Sequence, residues 1–278
     1  MVKILAMGDF HGKFPAKLKK LAKSKEIDLI LCTGDLGGSK KLLKIIFKYF
    51  KQKWWTKISG KTAKKLVLED YDKGKKIINE LNSLNKKIYM IAGNWDFTTK
   101  GNIDRTMGLK LVSYSKLMKK KQNLIFTNRT FRRLKDLKIL FFGGIVTAGV
   151  YTEGVFDKKE TLKYKKKNKK ETEHLMKYSN KNPEILFAHY PPYGFFDIVK
   201  FKGENPMNGK HIGFKGYIKF IKKNKPALFI CGHMHEYQGK KKLGETLIIT
   251  TGSAQEGKAA IIDFDEKKKK VKSVKFVK

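Results

Sequence analysis

Five short stretches of this chain place an aspartate, an asparagine or a histidine directly after an apolar run: GDFHG (8–12), GDLGG (34–38), GNWD (93–96), AHYPP (188–192) and GHMHE (232–236). They supply three oxygen donors, Asp9, Asp35 and Asn94, and four imidazoles, His11, His189, His233 and His235. Mixed oxygen and imidazole sets suit zinc, manganese or iron rather than calcium or magnesium. Seven donors are too many for one ion with an open position, but they suit two ions if one carboxylate bridges. A pair of ions about 3.5 to 4 Å apart can clamp a phosphate and generate a hydroxide nucleophile. Asp9 with His11, and His233 with His235, are separated by two positions. On an extended backbone that spacing points both side chains the same way.

A lone histidine on an apolar strand is more often a satisfied core or surface residue, and glycines beside Asp9, Asp35, Asn94 and His233 can serve merely to close turns. Four of the six histidines at strand ends beside turn residues are harder to explain in that way. The other two, His174 and His211, fall in a helix and a loop, and His174 is read as structural.

The elements that must position these residues are visible as β-branched apolar runs alternating with lysine-rich helical patterns. Strands are expected at 2–8, 28–34, 87–93, 123–128, 138–144, 184–189, 227–233, 246–252 and 259–265, with a short final strand in VKSVKFV. Helices are expected at 13–26, 39–51, 70–85, 158–179 and 214–224, each with apolar residues at three-to-four spacing. In open α/β sheets ligands bind outside the carboxyl ends of the strands, so donors from distant parts of the chain can converge on one site.

The 278 residues can bury a sizeable core, and one domain spanning 1–278 is expected. Hydrophobic residues are 41% and aromatics 12%, enough apolar material to fold. Cys32 and Cys231 each lie in an apolar run and read as buried free thiols in a reducing compartment. No run approaches the ~18 apolar residues of a membrane span, so a cytoplasmic protein without membrane attachment is expected. The net charge of +38 invites a nucleic-acid partner, yet only four basic residues are arginine, the residue favoured for bidentate phosphate recognition. A generally solvated lysine surface is the preferred reading, with weak non-specific affinity for nucleic acid as its consequence.

The order D-x-H, G-D, G-N-x-[DE], H, G-H-x-H between residues 8 and 235 resembles the calcineurin-like metallophosphoesterase superfamily. The five-block signature is specific, although no block alone would be. The resemblance implies an α/β fold, a four-layer sandwich of two mixed β-sheets flanked by helices, with the metal site at the C-terminal ends of strands. It implies that Asp9, His11 and His235 hold one ion, that Asn94, His189 and His233 hold the other, and that Asp35 bridges. The ions would be two divalent or trivalent transition metals, manganese, iron or zinc. The tail ICGHMHEYQGKKKLGETLIITTGSAQEG is similar to that of small prokaryotic members, in which the strand and turn after the second histidine pair pack beside the site. The implied activity is hydrolysis of a phosphoester by hydroxide held on the two metals and attacking phosphorus in line.

One block departs from the family pattern. Its third position is usually histidine, which helps to stabilise the transition state or protonates the leaving oxygen, and here it is Trp95. Indole has one N–H donor and no proton that titrates near neutrality, so it cannot act as a general acid. It can pack, stack on a ring of the substrate, or donate to a phosphate oxygen. The loss matters least for a good leaving group, which favours a phosphodiester of a small molecule or nucleotide over an alkyl monoester. The alternatives are a nucleic-acid-processing phosphodiesterase and a metal-retaining scaffold without activity. Asp96 is expected to orient the loop. His211, in GKHIGFKG, matches a glycine-flanked histidine of small members, although their following serine is Phe214 here. Asp35, Asn94, Trp95 and His211 are thus the candidate catalytic residues.

Two other features are weaker. ISGKT has the look of a phosphate-binding loop, but the glycine required at 55 is Trp55. Trp54 and Trp55 read as packing within an insertion that, with 145–183, is long enough to shape a cover for the site. FFGGIVTAGVYTEGVF reads either as a mobile loop or as a plain series of turns.

Overall fold

The computed structural model describes residues 1–50, 52–97, 109–144 and 155–278. Most of FFGGIVTAGVYTEGVF lies outside those residues. The strand β1 (Val2–Met7) shows why its sequence lacks polar alternation: Leu5 and Met7 enter one apolar cluster while Val2, Ile4 and Ala6 enter another. A strand covered on both faces has no solvent side to mark with polar residues. The same division recurs in β2 (Leu29–Cys32), where Ile30 and Cys32 face one way and Leu29 and Leu31 the other.

β1, β2, β3 (Ile88–Met90) and β4 (Leu124–Phe126) run parallel in the first sheet. The antiparallel strands β11 (Ala259–Asp265) and β12 (Lys270–Val277) complete it in the order β12-β11-β1-β2-β3-β4. The second sheet has the order β5-β6-β7-β8-β10-β9. Its parallel centre is β6 (Leu137–Phe142), β7 (Ile185–Ala188), β8 (Leu228–Cys231) and β10 (Thr246–Thr250). β5 (Thr130–Leu134) and β9 (Gly239–Leu243) flank it antiparallel.

Three apolar layers separate four layers of structure. Between the sheets, Ile4, Leu31 and Ile262 pack with Phe141, Phe187 and Ile230. Outside the first sheet lie α1 (Ala16–Lys23), α2 (Lys40–Lys48), α3 (Gly60–Asn82) and α4 (Tyr114–Lys119), through residues such as Leu18, Leu42, Val67, Ile78 and Met118. Outside the second lie α5 (Lys158–Met176) and α6 (Lys215–Asn224), through Leu175, Tyr217 and Phe220. The expected sandwich of two mixed sheets flanked by helices is what the chain forms. Cys32 and Cys231 are buried free thiols, and burial pushes both thiol pKa values up. Among the described residues no helix is long and apolar enough to cross a membrane.

Sequence periodicity missed β5 and β9, the two edges of the second sheet. TFRRL and GKKKL carry charge where a strand is normally apolar, and charge on an edge discourages further pairing. The third helix begins about ten residues before its expected start, because Ser59 in ISGKT is an N-cap whose side chain accepts from the Thr62 N–H. Trp54 is buried and meets Trp55 edge to face, as their packing role required. Phe141 is fully buried between the sheets against Tyr89 and Phe187. Phe141→Ala is expected to lower unfolding free energy by about 3–5 kcal/mol in urea titration, whereas exposed Lys241→Thr on the edge strand should stay within about 0.5 kcal/mol of wild type.

Candidate metal centre

Because β1, β2 and β3 are adjacent and parallel, Asp9, Asp35 and Asn94 leave the first sheet together at the C-terminal ends of these strands. Adjacent, parallel β7 and β8 bring His189, His233 and His235 to the C-terminal ends of their strands in the second sheet. The two sets interlock. His189 Nδ1 lies 2.8 Å from the Thr33 carbonyl, and the His233 N–H donates to both Asp9 oxygens at 3.0 and 3.1 Å. The turn after β10 closes the third side: Ser253 Oγ donates to the Asp9 carbonyl and the Gln255 amide to that of His11. This is the packing beside the site that the tail implied.

Donor atoms of Asp9, His11 and His235 lie within 4.8 Å of one another, as do those of Asp35, His189 and His233. Asn94 Oδ1 joins the second group at 2.8 Å from His189 Nε2. Asp35 Oδ2 stands between them, 3.5 Å from His189 Nε2 and 3.8 Å from His11 Nε2. Asp9, Asp35 and His189 are buried, while His11, Asn94, His233 and His235 are partly exposed, so solvent reaches part of the cluster.

Four of the seven donors hold a left-handed backbone that is unusual for residues other than glycine: Asp9 (φ 57°), His11 (42°), Asp35 (53°) and His233 (69°). The strain is held by backbone bonds between the two loops, with the N–H groups of Asp9, Phe10, His11 and Gly12 donating to the carbonyls of Gly34, Asp35, Asp35 and Leu36. Strain clustered on the chemically capable side chains points to a site rather than to turns alone. Two glycines permit the close packing. A Cβ on Gly93 would fall 2.0 Å from Asp35 Oδ1, and one on Gly232 2.3 Å from Asp9 Oδ2.

Electrostatics fit a cation pair. Burial alone would raise the carboxyls of Asp35 and Asp9, but neighbouring imidazoles outweigh it and hold both below the usual carboxylate range. His189 does this for Asp35 through charge and contact, and His235 for Asp9. Burial would depress His189, yet Asp35 and Asp9 lift it to about 9. Burial and nearby imidazoles depress His11 to about 4 and His233 to about 3, leaving neutral rings with lone pairs for a metal. Thus two buried carboxylates are offset by protons on histidine where metal charge would serve, and the oxygen and imidazole donors suit transition metals.

Asp96 does the orienting expected of it. Its Oδ2 accepts from the N–H groups of Asp35 (2.9 Å) and Gly93 (2.8 Å), and Oδ1 from that of Leu36 (2.8 Å), tying the β2 and β3 loops together. Burial and the Asp35 charge raise it to about 6 against those three donors. Trp95 gives its backbone N–H to Asp35 Oδ1 at 2.7 Å. Its indole N–H turns to α3 and donates to Asp70 Oδ1 and Oδ2 at 2.9 and 3.0 Å. The indole N–H, one of whose open roles was to donate to a phosphate oxygen, is engaged by a buried carboxylate. Asp70 escaped the sequence reading, although an acidic residue in the apolar stripe of Leu66, Val67, Tyr71 and Ile77 was its signal.

His211 stands on the loop after β7, its Nδ1 2.9 Å from Asp197 Oδ1 and its ring beside Tyr193. Among the described residues no hydrogen bond joins it to the seven donors. His174 packs against Phe142 and Tyr178, in keeping with a structural role.

The fold is a two-sheet sandwich with a candidate two-metal centre at the strand ends, and sequence comparison places it in a family. A family model described as metallophosphoesterase, calcineurin superfamily, matches residues 1–274. The chain belongs to that superfamily of metal-dependent phosphoester hydrolases. One crystal structure superposes with a TM-score of 0.61 at 19% identity, over 99% of this chain and 97% of its own. The protein TT1561 of Thermus thermophilus does so with a TM-score of 0.53 at 16% identity, over 99% of this chain and 98% of its own. No curated protein sequence matches significantly.

Gly93→Ala should fold less stably and bind manganese at least about tenfold more weakly, since its methyl group meets both the Asp35 carboxylate and, at 2.6 Å, the Asp35 nitrogen. Gly60→Ala, whose Cβ would meet nothing within 4 Å, is the control and should bind as wild type in calorimetric titration.

Proposed function

We propose that this chain is a phosphodiesterase for a small-molecule or nucleotide diester, working at two metals held by the seven donors. In this reading Asp9, His11 and His235 would hold one ion, Asn94, His189 and His233 would hold the other, and Asp35 would be shared between them. When bound, such ions supply Lewis acidity at the phosphoryl oxygens and a water deprotonated near neutral pH. The chain's own contribution is placement. Asp96 and the Trp95 N–H fix the backbone and carboxylate of Asp35, and the paired loops fix Asp9 and His11. The partly exposed donors are the part of the cluster that a phosphoryl group can reach.

The observation that carries the diester reading is the Trp95 indole bound to Asp70. A histidine at this place would offer a proton to the departing oxygen; an indole does not titrate near neutrality. General acid catalysis contributes about 10²- to 10⁴-fold, and its absence is felt most by poor leaving groups. Substrates whose leaving group needs no proton are favoured. His211, oriented by the buried Asp197, is assigned to the phosphate side in this reading. Its opposite ring nitrogen, Nε2, is directed away from Asp197.

With manganese, wild type should hydrolyse a bis-aryl phosphate faster than an aryl monophosphate, and Trp95→His should shift that ratio toward the monoester. An unchanged ratio would remove the assigned role of Trp95, and absence of turnover of both esters with metals bound would favour a scaffold.

A second reading has its own observation. Lys159, Lys163, Lys166, Lys167 and Lys170 are all exposed on α5 at spacings that share one face. Such a stripe suits a nucleic-acid backbone as substrate. A nuclease would cleave single- or double-stranded nucleic acid with activity falling steeply as salt rises, and reversing three of these lysines to glutamate would flatten that dependence. Binding without cleavage would reduce the stripe to non-specific adhesion.

A further inference from the structure

Asp70 is fully buried on α3, a helix that supplies none of the seven donors. Both of its oxygens accept the indole N–H of Trp95, and the backbone N–H of that same tryptophan donates to Asp35 Oδ1. One residue therefore joins a buried carboxylate in the helical layer to the carboxylate at the centre of the metal cluster. The neighbouring Asn94 places its Oδ1 against His189. The Asn94–Trp95 segment thus lies between the indole's anchor on α3 and the contacts to Asp35 and His189.

We propose that Asp70 is a positioning residue: by fixing the Trp95 indole it sets the orientation of the Asp35 carboxylate and the Asn94 amide toward the metals. This rests on the reading of the seven donors as a metal centre. Asp70 touches none of the reacting atoms in this arrangement. Its effect reaches them through a bidentate contact to the indole, then the Trp95 peptide, then Asp35. A second carboxylate works in parallel, because Asp96 holds the Asp35 backbone while the Asp70–Trp95 pair holds the Asp35 side chain. Trp95, standing where the family pattern usually has histidine, gives this place a donor with one fixed direction. An indole N–H cannot change tautomer as imidazole can, so its partner determines where the ring stands.

The test uses the whole 278-residue chain and three variants: Asp70→Asn, which keeps an acceptor oxygen; Asp70→Leu, which keeps the branched shape and removes the acceptors; and Trp95→Phe, which keeps a ring and removes the donor. In metal-free protein labelled with ¹⁵N-tryptophan, Trp95→Phe assigns the indole resonance. Asp70→Leu should move that resonance upfield and abolish its exchange protection, and Asp70→Asn should leave it near its wild-type position. In manganese titrations Asp70→Leu and Trp95→Phe should each weaken binding by about tenfold or more, with Asp70→Asn close to wild type. The double variant Asp70→Leu/Trp95→Phe should be no worse than the poorer single one, as expected for two residues acting through one contact.

On a bis-aryl phosphate the loss should appear in kcat at saturating manganese, with KM little changed. Wild-type manganese affinity in a folded Trp95→Phe protein would overturn the proposal, as would an indole resonance indifferent to Asp70→Leu or strict additivity in the double variant. Should Asp70→Leu fail to fold, Trp95→Phe and Asp70→Asn decide the matter by the same titrations. Absence of manganese binding by wild type would instead overturn the metal-centre reading, which separates the two failures.

Discussion

The carboxylates of Asp9 and Asp35 are buried where the two sheets meet, and the rest of the site is arranged around the cost of burying them. An ionised carboxylate in a low-dielectric interior is tolerated only with opposite charge and hydrogen-bond donors close by. Both are present: His189 and His235, whose protonated forms the two carboxylates favour, stand beside them, and the His233 and Trp95 backbone N–H groups donate directly to the carboxylate oxygens. These partners come from both sheets, so the compensation also fastens the sheets together at the strand ends. The left-handed backbone at Asp9, His11, Asp35 and His233 follows from the same demand. A loop that must aim a side chain back across a strand end has few other conformations open to it, and such positions cost about 1–3 kcal/mol each and persist only where the surroundings over-determine them.

The legible part of this architecture was the part built from apolar strands. Nine of them, together with the final VKSVKFV strand, could be placed because burial on both faces leaves uninterrupted β-branched runs, and the donors could be placed because each follows such a run at once. The edges of the second sheet were not legible. Lys240, Lys241 and Lys242 in β9 and Arg132 and Arg133 in β5 look like loop residues, since the pairing that makes them strands comes wholly from a neighbour. The early start of α3 was hidden for a related reason. Its first turns are lysine-rich, and the informative residue was the capping Ser59 rather than an apolar period.

Within the site, the residues that hold metals in the proposed reading could be named from order and spacing, whereas those that hold the holders could not. Asp96 was accessible because it lies beside Asn94 in the chain. Asp70 is separated from Trp95 by 25 positions and contributes through tertiary contact alone. The clue available in the sequence was physical: a carboxylate set among Leu66, Val67, Tyr71 and Ile77 on the buried stripe of a helix has to find a donor inside the protein. Where a buried acid and an unusual aromatic at a site are both unexplained, each becomes a candidate partner for the other.

That pairing alters what the tryptophan means for the chemistry. As a packing residue it would represent a histidine lost and nothing gained. With its indole fixed to α3 and its peptide fixed to Asp35, it couples the helical layer to the centre of the cluster, a connection that does not depend on protonation near neutral pH. A histidine in the same position titrates near neutrality, and its charge would change in the presence of Asp35, the metals and the phosphate together. The indole gives up proton transfer and supplies constant geometry across that range. Such an exchange suits substrates whose bond cleavage is limited by alignment of the phosphoryl group rather than by protonation of the departing oxygen, because alignment is the quantity that Asp70, Trp95 and Asp96 jointly control.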